Sequence, residues 1–113
     1  MLNDLLVTAP ADVLVLPMSE DLSPAIRTAT ALREAGIRTQ LYTEKKKFKA
    51  RMAYADRLSI PYVLFLGEDE IQSGTVTCKD MTAGTQQTLP LEELLPQLKE
   101  ALARRRAQAL ITE

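Results

Sequence analysis

Val13-Leu14-Val15-Leu16 is a run of four apolar residues, and Tyr62-Val63-Leu64-Phe65-Leu66 is a second such run half a chain later. Every position in both runs is apolar, so each predicts a strand that is covered on both faces, as at the centre of a parallel sheet. Asp12 and Pro17 bound the first run, and Gly67 stops the second. Two such strands require helices on both sides of one sheet, which predicts an α/β fold.

Helix and strand patterns alternate between these two strands. Ser23-Pro24 provides an N-cap followed by a first-turn proline, and Gly36 ends this first helix. Ile37–Tyr42 alternates between apolar and polar residues, which predicts a half-buried strand. The apolar stripes of the first two helices are predicted to consist of Ala25, Ile26, Ala29 and Leu32, and of Phe48, Met52, Ala55 and Leu58.

The last third of the chain predicts a hairpin and a long helix. Thr75–Lys79 and Gln86–Leu89 flank an Ala83-Gly84 turn and should pair as a hairpin. A Leu-rich final helix follows and should end at Arg104-Arg105-Arg106, and Pro96 predicts a late start or a kink in it. The order β-α-β-α-β-β-β-α predicts a three-layer α/β/α fold. Its five-stranded mixed sheet would have right-handed parallel crossovers and an antiparallel edge.

The composition is that of one soluble globular domain. The chain has 113 residues, of which 46% are hydrophobic and 26% charged, with a net charge of −1. We expect residues 1–11 to form an arm or a linker cut from a longer chain, 12–103 the domain, and 104–113 a basic C-terminal tail. A single Cys78, no basic signal segment and no apolar run of membrane length predict a reducing, cytoplasmic location and no membrane partner.

The residues of common catalytic and metal sites are scarce in this chain. It has no His, and one Cys without a His forms neither a usual zinc site nor an activated thiol nucleophile. Cys78 is instead interpreted as a small buried residue on the inner face of the hairpin. Pro17–Asp21, after the first strand, has no glycine and two acids where a phosphate loop would bind its anion. The chain is therefore predicted to be non-catalytic, with no cofactor and no metal.

Glu68-Asp69-Glu70 is an acidic cluster directly after the second buried strand. Carboxylates at this end of a parallel strand can be catalytic or bind Mg²⁺. They can equally form a solvated loop, or accept hydrogen bonds from the amino and imino groups of bases. Thr75, Thr77 and Lys79 should project from one face of the hairpin, near this cluster. The residues alone leave the three interpretations open.

Five cations surround the start of the second helix: Lys45, Lys46, Lys47, Lys49 and Arg51. Clustered Lys and Arg attract phosphates, and each phosphate contact adds to the salt dependence of binding. The alternative interpretation is a solvated helix face. Cations at a helix N-terminus oppose the helix dipole, however, and an anionic partner would relieve that cost. Together with the polar hairpin, the cluster predicts an RNA-binding edge on a domain without an evident active site.

Several segments resemble, in their order and spacing, the C-terminal anticodon-binding domain of class IIa aminoacyl-tRNA synthetases. They cover residues 11–102 and comprise Asp12-Val13-Leu14-Val15-Leu16-Pro17, Leu32-Arg33-Glu34-Ala35-Gly36-Ile37-Arg38, Phe48-Lys49-Ala50-Arg51, Tyr54-Ala55-Asp56, Gly67-Glu68-Asp69-Glu70, Ser73-Gly74-Thr75-Val76, Lys79-Asp80 and Gly84-Thr85-Gln86. Threonine-, proline- and glycine-specific relatives share the fold. The Tyr54-Ala55-Asp56 and Lys79-Asp80 segments are most similar to the histidine-specific members, the histidine–tRNA ligases.

This resemblance implies a domain that binds the anticodon loop of tRNA, with histidine tRNA as the partner. In relatives, the Glu of a Gly-x-x-Glu loop and a basic residue that ends the next strand contact anticodon bases, which implies these roles for Glu70 and Lys79. The junction between the second strand and the second helix approaches the anticodon loop, and its cations would neutralise the RNA backbone. The predicted tRNA-binding residues are Thr43, Lys47, Lys49, Arg51, Glu70 and Lys79.

The catalytic motifs of class II synthetases and their histidine-binding segments are absent from this sequence. The resemblance therefore implies either an excised C-terminal domain or a free-standing paralogue that does not aminoacylate. In the first case the parent would be an ATP-dependent ligase, with ATP and Mg²⁺ in its catalytic domain, and that domain and a homodimer formed through the parent would be further partners. Two alternatives stay open: a regulatory or interaction domain of the same fold that does not read tRNA, and a flavodoxin-like or receiver-like domain.

Overall fold

The structure, a computed structural model, describes residues 11–44 and 47–111, with side chains as far as residue 105. Lys45, Lys46 and the side chain of Arg106 lie outside the described residues, as does the predicted arm before residue 11. The strands are β1 (Val13–Pro17), β2 (Thr39–Leu41), β3 (Tyr62–Leu66), β4 (Thr75–Asp80) and β5 (Thr85–Pro90). The helices are α1 (Ser23–Glu34), α2 (Phe48–Arg57), α3 (Glu68–Ser73) and α4 (Leu91–Ile111).

The five strands form one mixed sheet in the order β2-β1-β3-β4-β5. β1 pairs in parallel with both β2 and β3, whereas β4 pairs antiparallel with β3 and with β5. Both apolar runs therefore lie at the centre of the sheet, which confirms the predicted fold class. The hairpin of β4 and β5 is the antiparallel edge that its alternating pattern predicted.

Helices cover the sheet in two separate core layers. On one face, Val13 and Val15 pack with residues of α1 and α4 such as Leu32 and Leu98. On the other face, Leu14 packs with residues of α2 and its flanking segments. Successive residues of a strand point to opposite faces, so a central strand supplies side chains to both layers. This arrangement confirms the predicted three layers.

Helix α1 ends at Gly36 as the sequence predicts, but its N-cap is one residue earlier than predicted. Gly36 has a φ of +86°, and the N–H groups of Gly36 and Ile37 donate to the carbonyls of Arg33 and Leu32 at 3.0 Å each, which is a Schellman motif. The predicted N-cap was wrong by one residue, because Ser23 is already helical and its N–H donates to the Asp21 carboxylate at 3.0 Å.

Three other expectations from the sequence need correction. The periodicity predicts Ile26 in the buried stripe of α1, but its side chain is 49% exposed. The acidic cluster forms a short helix, α3, where a loop was expected. The last helix does not end at Arg104–Arg106, and of the two alternatives at Pro96 the late start is wrong, since α4 runs from Leu91 to Ile111 with Pro96 inside it. Within the described residues, no helix combines the length and the apolar character needed to cross a membrane.

Candidate nucleic-acid interface

The α2 side of the sheet continues onto β4 and β5 as a polar surface. In the strand register, Thr77 lies opposite Phe65 and Lys79 lies opposite Val63 of β3. Val63 and Phe65 pack with the α2 layer, so Thr77 and Lys79 are on that side of the sheet. The same register places Thr88 beside Thr77 and Gln86 beside Lys79 on β5. We call this surface the hairpin face; it consists of Thr75, Thr77, Lys79, Gln86 and Thr88.

The Glu70 carboxylate is fixed at one end of the hairpin face. Its Oε1 accepts a hydrogen bond of 2.8 Å from the N–H of Gly67, which caps α3, and its Oε2 accepts one of 3.1 Å from the Thr77 hydroxyl. The Thr77 hydroxyl also lies 2.8 Å from that of Thr88. Glycine suits this cap, because a Cβ at Gly67 would lie 2.8 Å from the carboxylate oxygen. The acidic cluster therefore presents one positioned carboxylate, Glu70, to the hairpin face.

Lys79 lies on the same face as Glu70, on the far side of Thr77. Residues two apart on one side of a strand are separated by about 7 Å, which is the spacing expected between Thr77 and Lys79. Lys79 is half-buried between Val63 and Gln86 in the register. The structure therefore brings together the two residues that the sequence predicted as base contacts. They place an anionic acceptor and a cationic donor on one surface.

Arg51 makes extensive contacts inside the protein. Its Nη1 donates a hydrogen bond of 2.6 Å to the carbonyl of Pro17 and lies 3.5 Å from the sulfur of Met18. The guanidinium carbon sits 5.9 Å from the centroid of the Tyr42 ring, within cation–π range. Arg51 thus joins α2 to the end of β1, a structural role that the sequence did not predict.

The remaining predicted contacts are exposed side chains near the start of α2. Thr43 follows β2, and Lys47 and Lys49 flank the first residue of the helix. Lys47 occupies the N-cap position with an extended backbone and makes no capping hydrogen bond through its side chain, and the first turn contains no acid. Among the described residues, the first turn of α2 therefore contains no acidic side chain that would offset the positive charge of Lys47 and Lys49.

Met18 connects the basic and acidic halves of this edge. Its N–H donates to the carbonyl of Leu66 at 2.9 Å, and its Cβ lies 3.9 Å from the position of a Cβ on Gly67. Arg51 contacts Met18 from the other side. Because β1 and β3 are parallel, their carboxyl ends meet here. The cations of α2 and the carboxylate of Glu70 therefore flank the same end of the sheet.

Phe48 is a candidate that the sequence analysis missed. The periodicity assigned it to the buried stripe of α2, but its side chain is 46% exposed. Its ring centroid lies 5.3 Å from that of Phe65, tilted by 54°, and Phe65 is the register partner of Thr77. An exposed aromatic ring therefore stands at the margin between the α2 layer and the hairpin face. The lysines on both sides of Phe48 in the sequence were the available signal.

Thr88 and Gln86 are two further polar residues on this face that the sequence analysis did not select. Both are exposed. The Thr-Gln-Gln-Thr run that opens β5 was the available signal, because four polar residues in succession at the start of a strand are typical of a solvated sheet edge.

The opposite side of the hairpin carries no reactive thiol. Cys78 is buried there with Val76, as predicted, and burial, reinforced by the Asp80 carboxylate, raises the pKa of the thiol to about 12. Burial also raises the pKa of Tyr62, with a further contribution from Asp80. The thiol of Cys78 is therefore protonated at neutral pH, when only the thiolate would be nucleophilic.

Similar proteins bear on what this surface binds. The family model described as "Anticodon binding domain" matches residues 12–101. A histidine–tRNA ligase of Clostridium tetani is 40% identical over 91 residues, which cover 80% of this chain and 21% of the relative. One from Pyrococcus furiosus is 35% identical over 92 residues, with coverages of 80% and 21%. The crystal structure of histidyl-tRNA synthetase from Nostoc sp. PCC 7120 matches with a TM-score of 0.78 at 28% identity, over 83% of this chain and 23% of that one. The chain thus spans about a fifth of the length of these relatives.

Proposed function

This chain belongs to the anticodon-binding domain family, and we propose that it binds the anticodon loop of tRNA through the hairpin face and the cations of α2. The similarity to histidine–tRNA ligases supports histidine tRNA as the partner. It also supports a role as the anticodon-reading part of such a ligase, in which aminoacylation would be carried out by a separate catalytic domain. The family assignment and the placement of Glu70 and Lys79 on the hairpin face both support this proposal.

The observation that carries the proposal is the placement of Glu70 and Lys79 on one polar surface. Each carboxylate oxygen of Glu70 accepts one internal hydrogen bond and keeps a further lone pair. A carboxylate accepts from base amino and imino groups, whereas the ammonium of Lys79 donates to base carbonyls, ring nitrogens or phosphate. The bases of a single-stranded loop expose the edges that such groups contact.

The cations at the start of α2 would position the RNA through its backbone. Lys47 and Lys49 are exposed, so each can approach a phosphate without first breaking an internal contact that the structure shows. Phosphate contacts fix orientation and carry no base information, and they make binding weaken with salt. Arg51 would contribute mainly by holding α2 against the sheet, given its hydrogen bond to Pro17.

Phe48 would supply a stacking surface beside the base-contacting groups. Its ring is partly exposed and packs against the ring of Phe65. Unpaired bases stack on aromatic side chains with a gain of about 1–3 kcal/mol per base. One splayed base could therefore stack on Phe48 while a neighbouring base meets the hairpin face.

The test is a titration of the chain with an anticodon stem-loop of histidine tRNA and with a loop of altered anticodon bases, each at two salt concentrations. The proposal predicts tighter binding of the histidine loop, lost in Glu70→Ala and Lys79→Ala. Lys99→Ala is the matched control, because Lys99 is an exposed lysine on α4.

Two results would contradict the proposal. Equal binding of both loops with a steep salt dependence would leave a nonspecific basic patch and remove the base-reading roles. An absence of binding to either loop at low salt would favour an interaction domain that has the fold but does not bind tRNA.

A further inference from the structure

Three oxygen atoms form a short chain from the interior of the hairpin face to its surface. Glu70 Oε2 lies 3.1 Å from the Thr77 hydroxyl, which lies 2.8 Å from the Thr88 hydroxyl. Thr77 is only 7% exposed, whereas Thr88 is open to solvent. The three atoms therefore connect a fixed carboxylate to an accessible hydroxyl.

The positions of the hydroxyl hydrogens in this chain follow from counting donors. A carboxylate can only accept, and each threonine hydroxyl has one hydrogen to donate. The contact with Glu70 must use the hydrogen of Thr77, since Glu70 has none. The contact between Thr77 and Thr88 must then use the hydrogen of Thr88. Only this arrangement places one hydrogen in each of the two short oxygen–oxygen contacts.

We propose that Thr88 selects a hydrogen-bond donor of the bound RNA because its own hydroxyl hydrogen is committed inward. Two lone pairs remain on the Thr88 oxygen, so toward solvent this group acts as an acceptor. A partner atom that can only accept, such as a phosphate oxygen or a base carbonyl, would leave a repulsive contact there. This inference rests on the proposed function and adds a specificity-determining residue to it.

The ligand chemistry is an O–H or N–H donor, which RNA can supply from two sources. One source is a base amino or imino group, and the other is a ribose 2′-hydroxyl. Both would meet the same acceptor. The experiment therefore removes each source separately.

The first arm measures binding of stem-loops in which one donor is removed at a time, for example inosine in place of guanosine, purine riboside in place of adenosine, or a 2′-deoxyribose. We expect one substitution to weaken binding by the wild-type chain by about three- to tenfold, the effect of one hydrogen bond. Thr88→Val should bind the unmodified loop about as weakly and should no longer respond to that substitution. Thr88→Ser keeps the oxygen and should behave like the wild type.

The control for Thr88→Val is Thr85→Val, on the same strand. Thr85 is exposed like Thr88, but it lies an odd number of residues away and so points to the other side of the sheet. It should leave every binding constant unchanged. Equal losses of binding affinity in the two variants would show that any change in β5 weakens binding, and would overturn the role of Thr88.

The second arm reverses the hydrogen-bond direction with Glu70→Gln. The amide oxygen of the new side chain would accept from Gly67, so its NH₂ group would donate to Thr77. Thr77 would then donate to Thr88, and the Thr88 hydrogen would be free to point outward. We expect Glu70→Gln to lose the preference for the donor-bearing loop. The change in preference should be absent when Thr88→Val is already present, which separates it from a direct contact of Glu70 with a base.

The outcomes separate this inference from the proposed function. Specific loop binding with no substitution whose effect depends on Thr88 would overturn the inference and leave the proposed function intact. Failure of the wild-type chain to bind any loop would overturn both.

Discussion

Arg51 and Pro17 are 34 positions apart in the sequence and are joined by a hydrogen bond of 2.6 Å from the guanidinium to the carbonyl oxygen. This contact fixes the helix that bears the predicted phosphate-binding lysines to the end of the first strand. Hydrogen bonds from charged groups and cation–π contacts each contribute free energy of folding. Arg51 therefore stabilises the fold in addition to carrying a positive charge at this edge of the sheet.

Replacement of Arg51 by alanine should lower the free energy of unfolding by about 1–2 kcal/mol, because the hydrogen bond to Pro17 and the contact with Tyr42 are lost. Lys49→Ala removes the same charge from an exposed side chain and should change stability by less than about 0.5 kcal/mol. Urea unfolding followed by circular dichroism measures both values. If the two variants were equally stable, the structural role of Arg51 would be wrong.

Replacement of Phe48 by alanine should weaken binding of the anticodon stem-loop by an amount that corresponds to about 1–3 kcal/mol, the contribution of one stacked base. Phe48→Tyr keeps the ring and should bind normally. Ile26→Ala is the control for an exposed apolar side chain on a helix, since Ile26 is 49% exposed and lies on α1. Fluorescence anisotropy with a labelled loop would distinguish these cases. Normal binding by Phe48→Ala would exclude stacking at this ring.

Replacement of Ser59 by glycine should raise the free energy of unfolding by about 0.5–1 kcal/mol. Ser59 has a φ of +59°, and the N–H groups of Ser59 and Ile60 donate to backbone carbonyls of α2 in the same pattern that ends α1. A side chain is strained in this conformation, and glycine removes that strain at some cost in chain entropy. The converse change, Gly36→Ala, should destabilise the chain, although its Cβ would meet no atom within 4 Å. Thermal unfolding of both variants measures whether each change raises or lowers stability. A loss of stability in Ser59→Gly would contradict the expectation.

Alkaline pH should destabilise the chain through Cys78. The thiol pKa is about 12 in the folded chain and 9.0 ordinarily, so below pH 9 the thiol is protonated in both states and this stabilisation is complete. As the pH rises from 9 toward 12, the unfolded chain loses its thiol proton first, and stability falls by about 1 kcal/mol per pH unit. Unfolding free energies of the wild type and of Cys78→Ala, measured from pH 7 to 10.5, should converge with rising pH. Parallel curves would show that the thiol does not titrate differently in the two states.

The parallel core was predictable because its signals are local and strong. Val13–Leu16 and Tyr62–Leu66 are apolar at every position, and Gly36 supplies the positive φ that ends α1. The short helix α3 was not predictable in the same way, since its six residues contain one apolar side chain and no stripe. Its cap depends on Glu70, whose other oxygen is held by Thr77 from a different strand.

The candidate site was predictable where strand alternation determines it. The alternation of β4 placed Thr77 and Lys79 on one side of the hairpin, and the structure confirms that this side lies beside Glu70. Phe48 was assigned to the core because periodicity identifies a helix face but not the point where the neighbouring layer ends. The sequence predicts an RNA contact for Arg51 and gives no sign of its internal partner, the Pro17 carbonyl, because that partner lies 34 positions away and is brought close only by the fold.

The alternation along β4 and β5 has a consequence for engineering. Val76 and Cys78 pack in the layer of α1 and α4, while Lys79, Gln86 and Thr88 lie on the opposite side of the hairpin. The three outward positions could be randomised in a display library without altering a residue of the buried layers. Such a library could retarget the domain to other hairpin loops on an unchanged scaffold.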